Sequence, residues 1–309
     1  MHYALKDYGA DLRWSVGTLF CHDKVLDDVI ALCRKFNILH PIKWAFGCIP
    51  GPLSSAMALS SIHSETKAEE AIKHCLKNGV ACRLALSNPH ADLKMIASDS
   101  KNIELMHILN EERIEGAQNG VIVSSDILAE YIREHYPNLE IILSCVRPAY
   151  DVGYGKLNDT MEWYTKKLFD PLYDVVEVNN AKIHEENFME ELSCKEKVEL
   201  IACRDCLRNC PFTKHHYEAS LNVANQFHLF GYEKTKMLLD EVNEMCVAYR
   251  MKHWDQASSF CKEDIRRLAA LGYERFQISS RRNTEERVAR DIKEYIFDYR
   301  HLRYFENLM

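Results

Sequence analysis

The chain has 309 residues, 47% hydrophobic and 28% charged, with a formal net charge of −7. No run approaches the ~18 consecutive apolar residues of a membrane span, so the composition is that of a soluble globular protein. The acidic balance argues against general nucleic-acid binding, which needs a basic face.

Short β-rich runs alternate with amphipathic helical patterns along the whole chain. Taken in order, the predicted strands are Leu12–Thr18, Ile42–Phe46, Ala81–Leu86, Gly120–Ser124, Glu140–Cys145, Tyr173–Val178, Val198–Ala202 and Arg275–Ser279. Between the first two, Val25, Val29, Leu32 and Phe36 fall on one helical face. Ser125-Asp126 supplies capping oxygens for a helix that presents Ile127, Leu128, Tyr131 and Ile132 and stops before Pro137. Asp159 can start the helix containing Met161 and Tyr164. Lys262–Leu271 reads as a helix ended by Gly272, a left-handed cap.

Eight strands separated by helical crossovers predict an α/β fold, a single (β/α)8 TIM-like barrel over residues 1–309. A doubly wound open sheet is the alternative, but its Gly-rich turn after strand one is missing. Residues 203–262 read as a helical, cysteine-rich insertion between strands seven and eight, and 282–309 as a C-terminal helix. The start, Met1 to Asp7, lacks the basic flank and apolar run of a secretory signal, so the expected location is cytoplasmic. Arg281 and Arg282 form a local basic pair, read first as a solvated helix start.

Active sites of such barrels lie at the C-terminal ends of the strands. Just past the predicted strands come Cys48, Asn88, Ser124, Ser144-Cys145, Asn179-Asn180, Cys203–Cys210 and Ser280-Arg281. An unidentified substrate is expected in that mouth. Twelve cysteines are the compositional outlier, and in a reducing cytoplasm they read as metal ligands or buried small hydrophobes. Cys33, Cys75 and Cys82 suit packing.

Packing does not explain Cys203-Arg-Asp-Cys206-Leu-Arg-Asn-Cys210-Pro211. A core would not place sulfur on successive faces of one short loop. Such spacing lets one loop bring several thiolates to a metal, either zinc or an iron–sulfur cluster. A fourth ligand must come from elsewhere, with Cys246, Cys261, Cys194 and Cys48 as candidates. The neighbouring His215-His216-Tyr217 offers a ligand or an acid–base group, against a plain surface reading.

The order of these elements resembles the collagenase-like peptidase family, peptidase family U32. That family also holds the oxygen-independent hydroxylase pair of ubiquinone biosynthesis and several RNA-hydroxylation proteins. The similar stretches are Trp14-Ser-Val-Gly17, Trp44-Ala-Phe-Gly47-Cys48, Gly120-Val-Ile-Val-Ser124, Pro137 to Ser144, and Cys206-Leu-Arg-Asn-Cys210-Pro211-Phe212 with His216-Tyr217. Cys246, Glu263-Asp264-Ile265 and Gly272 to Arg281 resemble its closing segment. Ser280 stands where the family has Gly, and Lys262 where it has Pro, which marks a divergent member.

The resemblance implies a four-iron (4Fe-4S) cluster held by Cys206, Cys210 and Cys246, with Cys203 as fourth ligand and Cys48 in reserve. It also implies a possible second barrel subunit. His216, Asn179 and Arg281 are the groups expected to position or protonate a substrate. Three functions follow as expectations. The first is an oxygen-independent hydroxylase or related oxidoreductase acting on a small molecule or RNA. The second is a peptidase, for which neither a His-Glu-x-x-His nor a Gly-x-Ser-x-Gly motif is visible. The third is a non-catalytic partner subunit with a structural cluster.

Overall fold

The computed structural model describes residues 5–20, 23–37, 40–54, 68–151, 159–185, 187–203, 207, 210, 212–225, parts of 234–253, 259–279 and 285–298. Eight parallel strands close into a barrel in chain order. They are β1 (Arg13–Val16), β2 (Ile42–Gly47), β3 (Ala81–Leu86), β4 (Gly120–Val123), β5 (Glu140–Leu143), β6 (Val175–Val178), β7 (Val198–Cys203) and β8 (Arg275–Ile278). Closure comes from β1 pairing with β8, Trp14 beside Phe276 and Val16 beside Ile278.

The helices are α1 (Asp23–Phe36), α2 (Ala68–Lys77), α3 (Leu93–Ser98), α4 (Ser100–Glu111), α5 (Asp126–His135), α6 (Met161–Leu168), α7 (Phe188–Glu191), α8 (Thr213–Asn225), α9 (Lys262–Ala270) and α10 (Glu285–Ile296). The interval between β7 and β8 contains α8 and α9. None of the described helices is long and apolar enough to cross a membrane.

Local chemistry sets the helix ends. Ser125 caps α5, accepting from the Leu128 N–H. Asp126 does not cap; its carboxylate is taken by Tyr173, Arg147 and Lys167. Helix α6 is capped one residue beyond the expected Asp159, at Thr160, which accepts from the Trp163 N–H. Gly272 has φ +98°, the left-handed turn expected after α9.

Each strand is buried on both faces, as a parallel sheet covered by helices requires. The larger core lies between strands and helices and includes Val29, Leu84, Ile132, Leu200, Ile265 and Ile292. A separate small cluster fills the barrel interior, made of Phe46, Cys48, Ala85, Ile122, Ile142 and Val175. On the rim, the loop after β2 is tied down by Asp99, whose carboxylate accepts from the Leu53 N–H at 3.0 Å and from the Asn102 side chain. A Cβ on Gly51 would stand 2.5 Å from that carboxylate, so only glycine lets the loop approach.

Candidate functional site

Alternation along a strand sends every second side chain inward. On several strands the inward position carries a polar or charged residue amid apolar neighbours, among them Arg83, Glu140, Glu177, Glu199, Arg275 and Gln277. Arg83 is fully buried, with its guanidinium donating to Glu140 at 2.7 Å and Glu199 at 2.6 Å. Arg275 reaches the second Glu140 oxygen at 2.6 Å. In register, Gly120 lies between Arg83 and Glu140, and its missing side chain leaves the path across β4 open. The Trp44 ring faces both guanidinium groups, 3.9 Å from Arg83 and 5.2 Å from Arg275.

These charges keep one another ionised. Burial opposes ionisation of Glu140, but Arg83 and Arg275 outweigh it and hold its carboxyl below the usual range. Burial likewise opposes the charge on Arg83, and Glu199 and Glu140 reverse the effect. The network then climbs toward the mouth. Gln277 donates from Nε2 to Glu177 at 2.9 Å, and Glu177 accepts from the Cys145 backbone N–H at 3.0 Å, just past β5. A hydrogen-bonded path thus links the lower barrel to the rim.

At the rim, Ser124 and Ser144 continue the inward faces of Ile122 and Ile142, and both are buried. Ser124 also anchors the loop after β5, its carbonyl accepting from Arg147 Nη1 at 2.5 Å. Arg147 binds Asp126 and Asp151 as well, and Asp151 accepts from the Trp163 indole at 2.8 Å. Asn179, one of the predicted substrate-positioning residues, stands just past β6. Its backbone N–H donates to the Tyr164 hydroxyl at 3.0 Å, and its side chain lies 3.5 Å from Asp159.

The cysteines expected to act together do not all face the same way. Cys203 ends β7 at a register irregularity, and its thiol donates to Asp291 of α10 at 3.1 Å, in the layer between strands and helices. Cys210 is half-buried at the entrance to α8, where its carbonyl accepts from Thr213 N–H and Oγ1. Cys246 is half-buried in the helical residues 246–249. Phe212 lies edge-on to Tyr249 with ring centroids 5.1 Å apart, which sets the Cys210 and Cys246 segments side by side. His216 is half-buried one turn into α8, its ring 6.4 Å from that of Tyr217. Cys206 and Arg281 lie outside the described residues.

The reserve ligands separate by position. Cys194 precedes β7, so the length of that strand, about 20 Å for six residues, divides it from Cys210. Cys48 is enclosed in the interior cluster. Cys261 is exposed and heads α9, and its neighbour Phe260 donates its N–H to the Ala202 carbonyl near the end of β7. Among the described residues, no three His, Cys, Asp or Glu side chains are grouped as a metal site.

Neither a protein-family model nor a curated protein matches this chain. Its fold is similar to a solved structure, that of the U32 peptidase Mk0906. The TM-score is 0.52 at 14% identity, over 87% of this chain and 92% of that one. At such identity the likeness concerns the fold.

Proposed function

We propose that this chain is a U32-type barrel enzyme of the oxygen-independent redox kind, a hydroxylase or related oxidoreductase, acting on a small molecule or RNA at the barrel mouth. In this reading Cys206, Cys210 and Cys246 hold an iron–sulfur cluster. The observation that supports it is the packing of Phe212 on Tyr249, which sets the segment of Cys210 beside that of Cys246, 36 positions further along the chain. Half-buried soft thiols suit an iron–sulfur cluster, with zinc as the alternative. Cys203 fits poorly, because its thiol is engaged by Asp291 behind β7. Cys261 is the better-supported fourth ligand, since its segment is pinned to the end of β7 through Phe260.

When bound, the cluster supplies one-electron chemistry. The chain's own residues would do the rest. Asn179, Ser124 and Ser144 offer hydrogen bonds to a substrate at the strand ends, and His216 offers an imidazole as an acid–base group. The fold likeness to a structure described as a U32 peptidase favours a second reading, a hydrolase.

Anaerobic purification with iron, sulfide and zinc analysis and electron paramagnetic resonance tests the proposal. A brown protein with stoichiometric iron and sulfide, lost in Cys210→Ser and Cys246→Ser, is the expected result. A colourless protein with stoichiometric zinc would overturn the cluster, and cleavage of peptides by metal-free protein would favour the hydrolase.

A further inference from the structure

The side of α5 that faces away from the barrel is not polar throughout. Leu128, Ala129 and Ile132 are buried. Ile127, Glu130, Tyr131 and Glu134 recur at i, i+3, i+4 and i+7, so they share a second face of the helix. Together with Asp92, Leu93 and Lys94 at the start of α3, they line a groove of about 530 Å³. Leu93 is 66% exposed and Ile127 46%. A single exposed apolar residue is ordinary on a protein surface. Here two of them, from different helices, share one concavity with a tyrosine whose ring is steadied by stacking on His135 at 4.2 Å.

The rim of the groove is acidic, with Asp92, Glu130 and Glu134 against the single cation Lys94. On the same helix Asp126 is neutralised by Arg147 and Lys167, whereas Glu130 and Glu134 join no ion pair with a described residue. Asp92 spends one oxygen on capping α3 through the Met95 N–H. Apolar anchors beside Glu130 and Glu134, which meet no cation among the described residues, match an amphipathic helix with a basic margin.

We infer that the α3–α5 groove docks a basic amphipathic helix of a partner protein. Its apolar residue seats against Leu93 and Ile127, and its lysines or arginines meet Glu130 and Glu134. The groove begins at the first turns of α3 and α5, the helices that follow β3 and β4.

Two synthetic helical peptides test this against the full chain by fluorescence anisotropy, one repeating Leu and Lys in helical register and its mirror with Glu replacing Lys. The Lys peptide should bind, weaken with salt, and lose at least roughly tenfold in affinity with the Glu130→Lys/Glu134→Lys protein. Leu93→Ser/Ile127→Ser should weaken it as well. These side chains are surface groups, so unchanged thermal melting will show that both variants are folded. Equal binding of the two peptides, or unchanged affinity in either double variant, overturns the proposal. So does a concentration-dependent dimer in sedimentation that Leu93→Ser/Ile127→Ser abolishes, because the occupant is then a second copy of this chain.

Discussion

Arg83 Nη1 donates to Glu199 Oε2 at 2.6 Å, joining β3 to β7 across the full width of the barrel. The same guanidinium holds Glu140 with its other arm. Replacing one member of a buried ionic group leaves its partners charged and unpaired, at a cost of about 3–5 kcal/mol. Arg83→Met should therefore destabilise the chain by that order in urea denaturation. Arg83→Lys should restore little, because one ammonium cannot span both carboxylates. Adding Glu199→Gln to Arg83→Met should recover part of the loss, because Glu140 keeps Arg275 as its partner.

Acid should act through the same group. Burial disfavours the Glu140 carboxylate, yet Arg83 and Arg275 depress its pKa below the ordinary 4.5. A depressed carboxylate stabilises the fold above its unfolded pKa, and that contribution disappears as pH falls through the folded value. Stability should thus decline from about pH 4.5 downward, and Glu140→Gln should flatten that arm. Denaturation midpoints across a pH series measure both.

His40 should shape a second pH window. Burial pushes its pKa from 6.5 down to about 4, despite the opposing hydrogen bond to the Ile42 carbonyl at 2.7 Å. Between those values the unfolded chain binds a proton that the folded chain refuses, so stability rises with pH through this interval. His40→Gln should remove that slope while leaving the more acidic Glu140 arm in place. A wild-type slope equal to that of the variant between pH 4 and 6.5 would count against the buried neutral imidazole.

Gly47 allows β2 to pass close to the loop after β1. A Cβ there would sit 2.3 Å from the Leu19 carbonyl oxygen, which is backbone and has no side-chain freedom to yield. Gly47→Ala should cost at least about 1–3 kcal/mol in chemical denaturation. Gly79 is a useful contrast, with φ +75° and open space around its Cα. Gly79→Ala should cost only the left-handed strain, about 1–2 kcal/mol.

Cys203 separates packing from ligation. Its thiol bonds Asp291, so Cys203→Ser should keep whatever iron the protein carries, while Cys210→Ser loses it. Equal loss in both variants, by iron analysis of folded protein, would return Cys203 to the ligand set.

Strand positions were legible because each is a short apolar run bounded by turn residues. Ala81–Leu86 matches its expected bounds, β1 is shorter at both ends, and the others differ by one or two residues at one end. The helix after β4 was legible too, but its outward face was not. Ile127 and Tyr131 read as partners of Leu128 and Ile132, yet the burial of α5 divides those pairs. Apolar periodicity alone cannot tell a core face from a docking face.

The interior network escaped the sequence reading, although it left a signal. Ala-Cys-Arg83-Leu-Ala-Leu and Val-Val-Glu177-Val each carry one ionisable residue inside an otherwise apolar run. A strand buried on both faces tolerates such a residue only if a countercharge awaits it. Which partners meet depends on strand order and register, and those emerge only when the barrel closes. The direction of Cys203 was hidden for a related reason. The irregularity between Ile201 and Cys203 shifts the alternation that would otherwise aim it inward.

Trp44, with two guanidinium groups over its ring that are themselves locked to Glu140 and Glu199, packs the lower barrel. Among the described residues, these side chains fill the lower end of the barrel as the base of a cup would. A filled floor leaves the strand ends as the side from which a molecule would both reach and quit the interior, so the packing below shapes the exchange above.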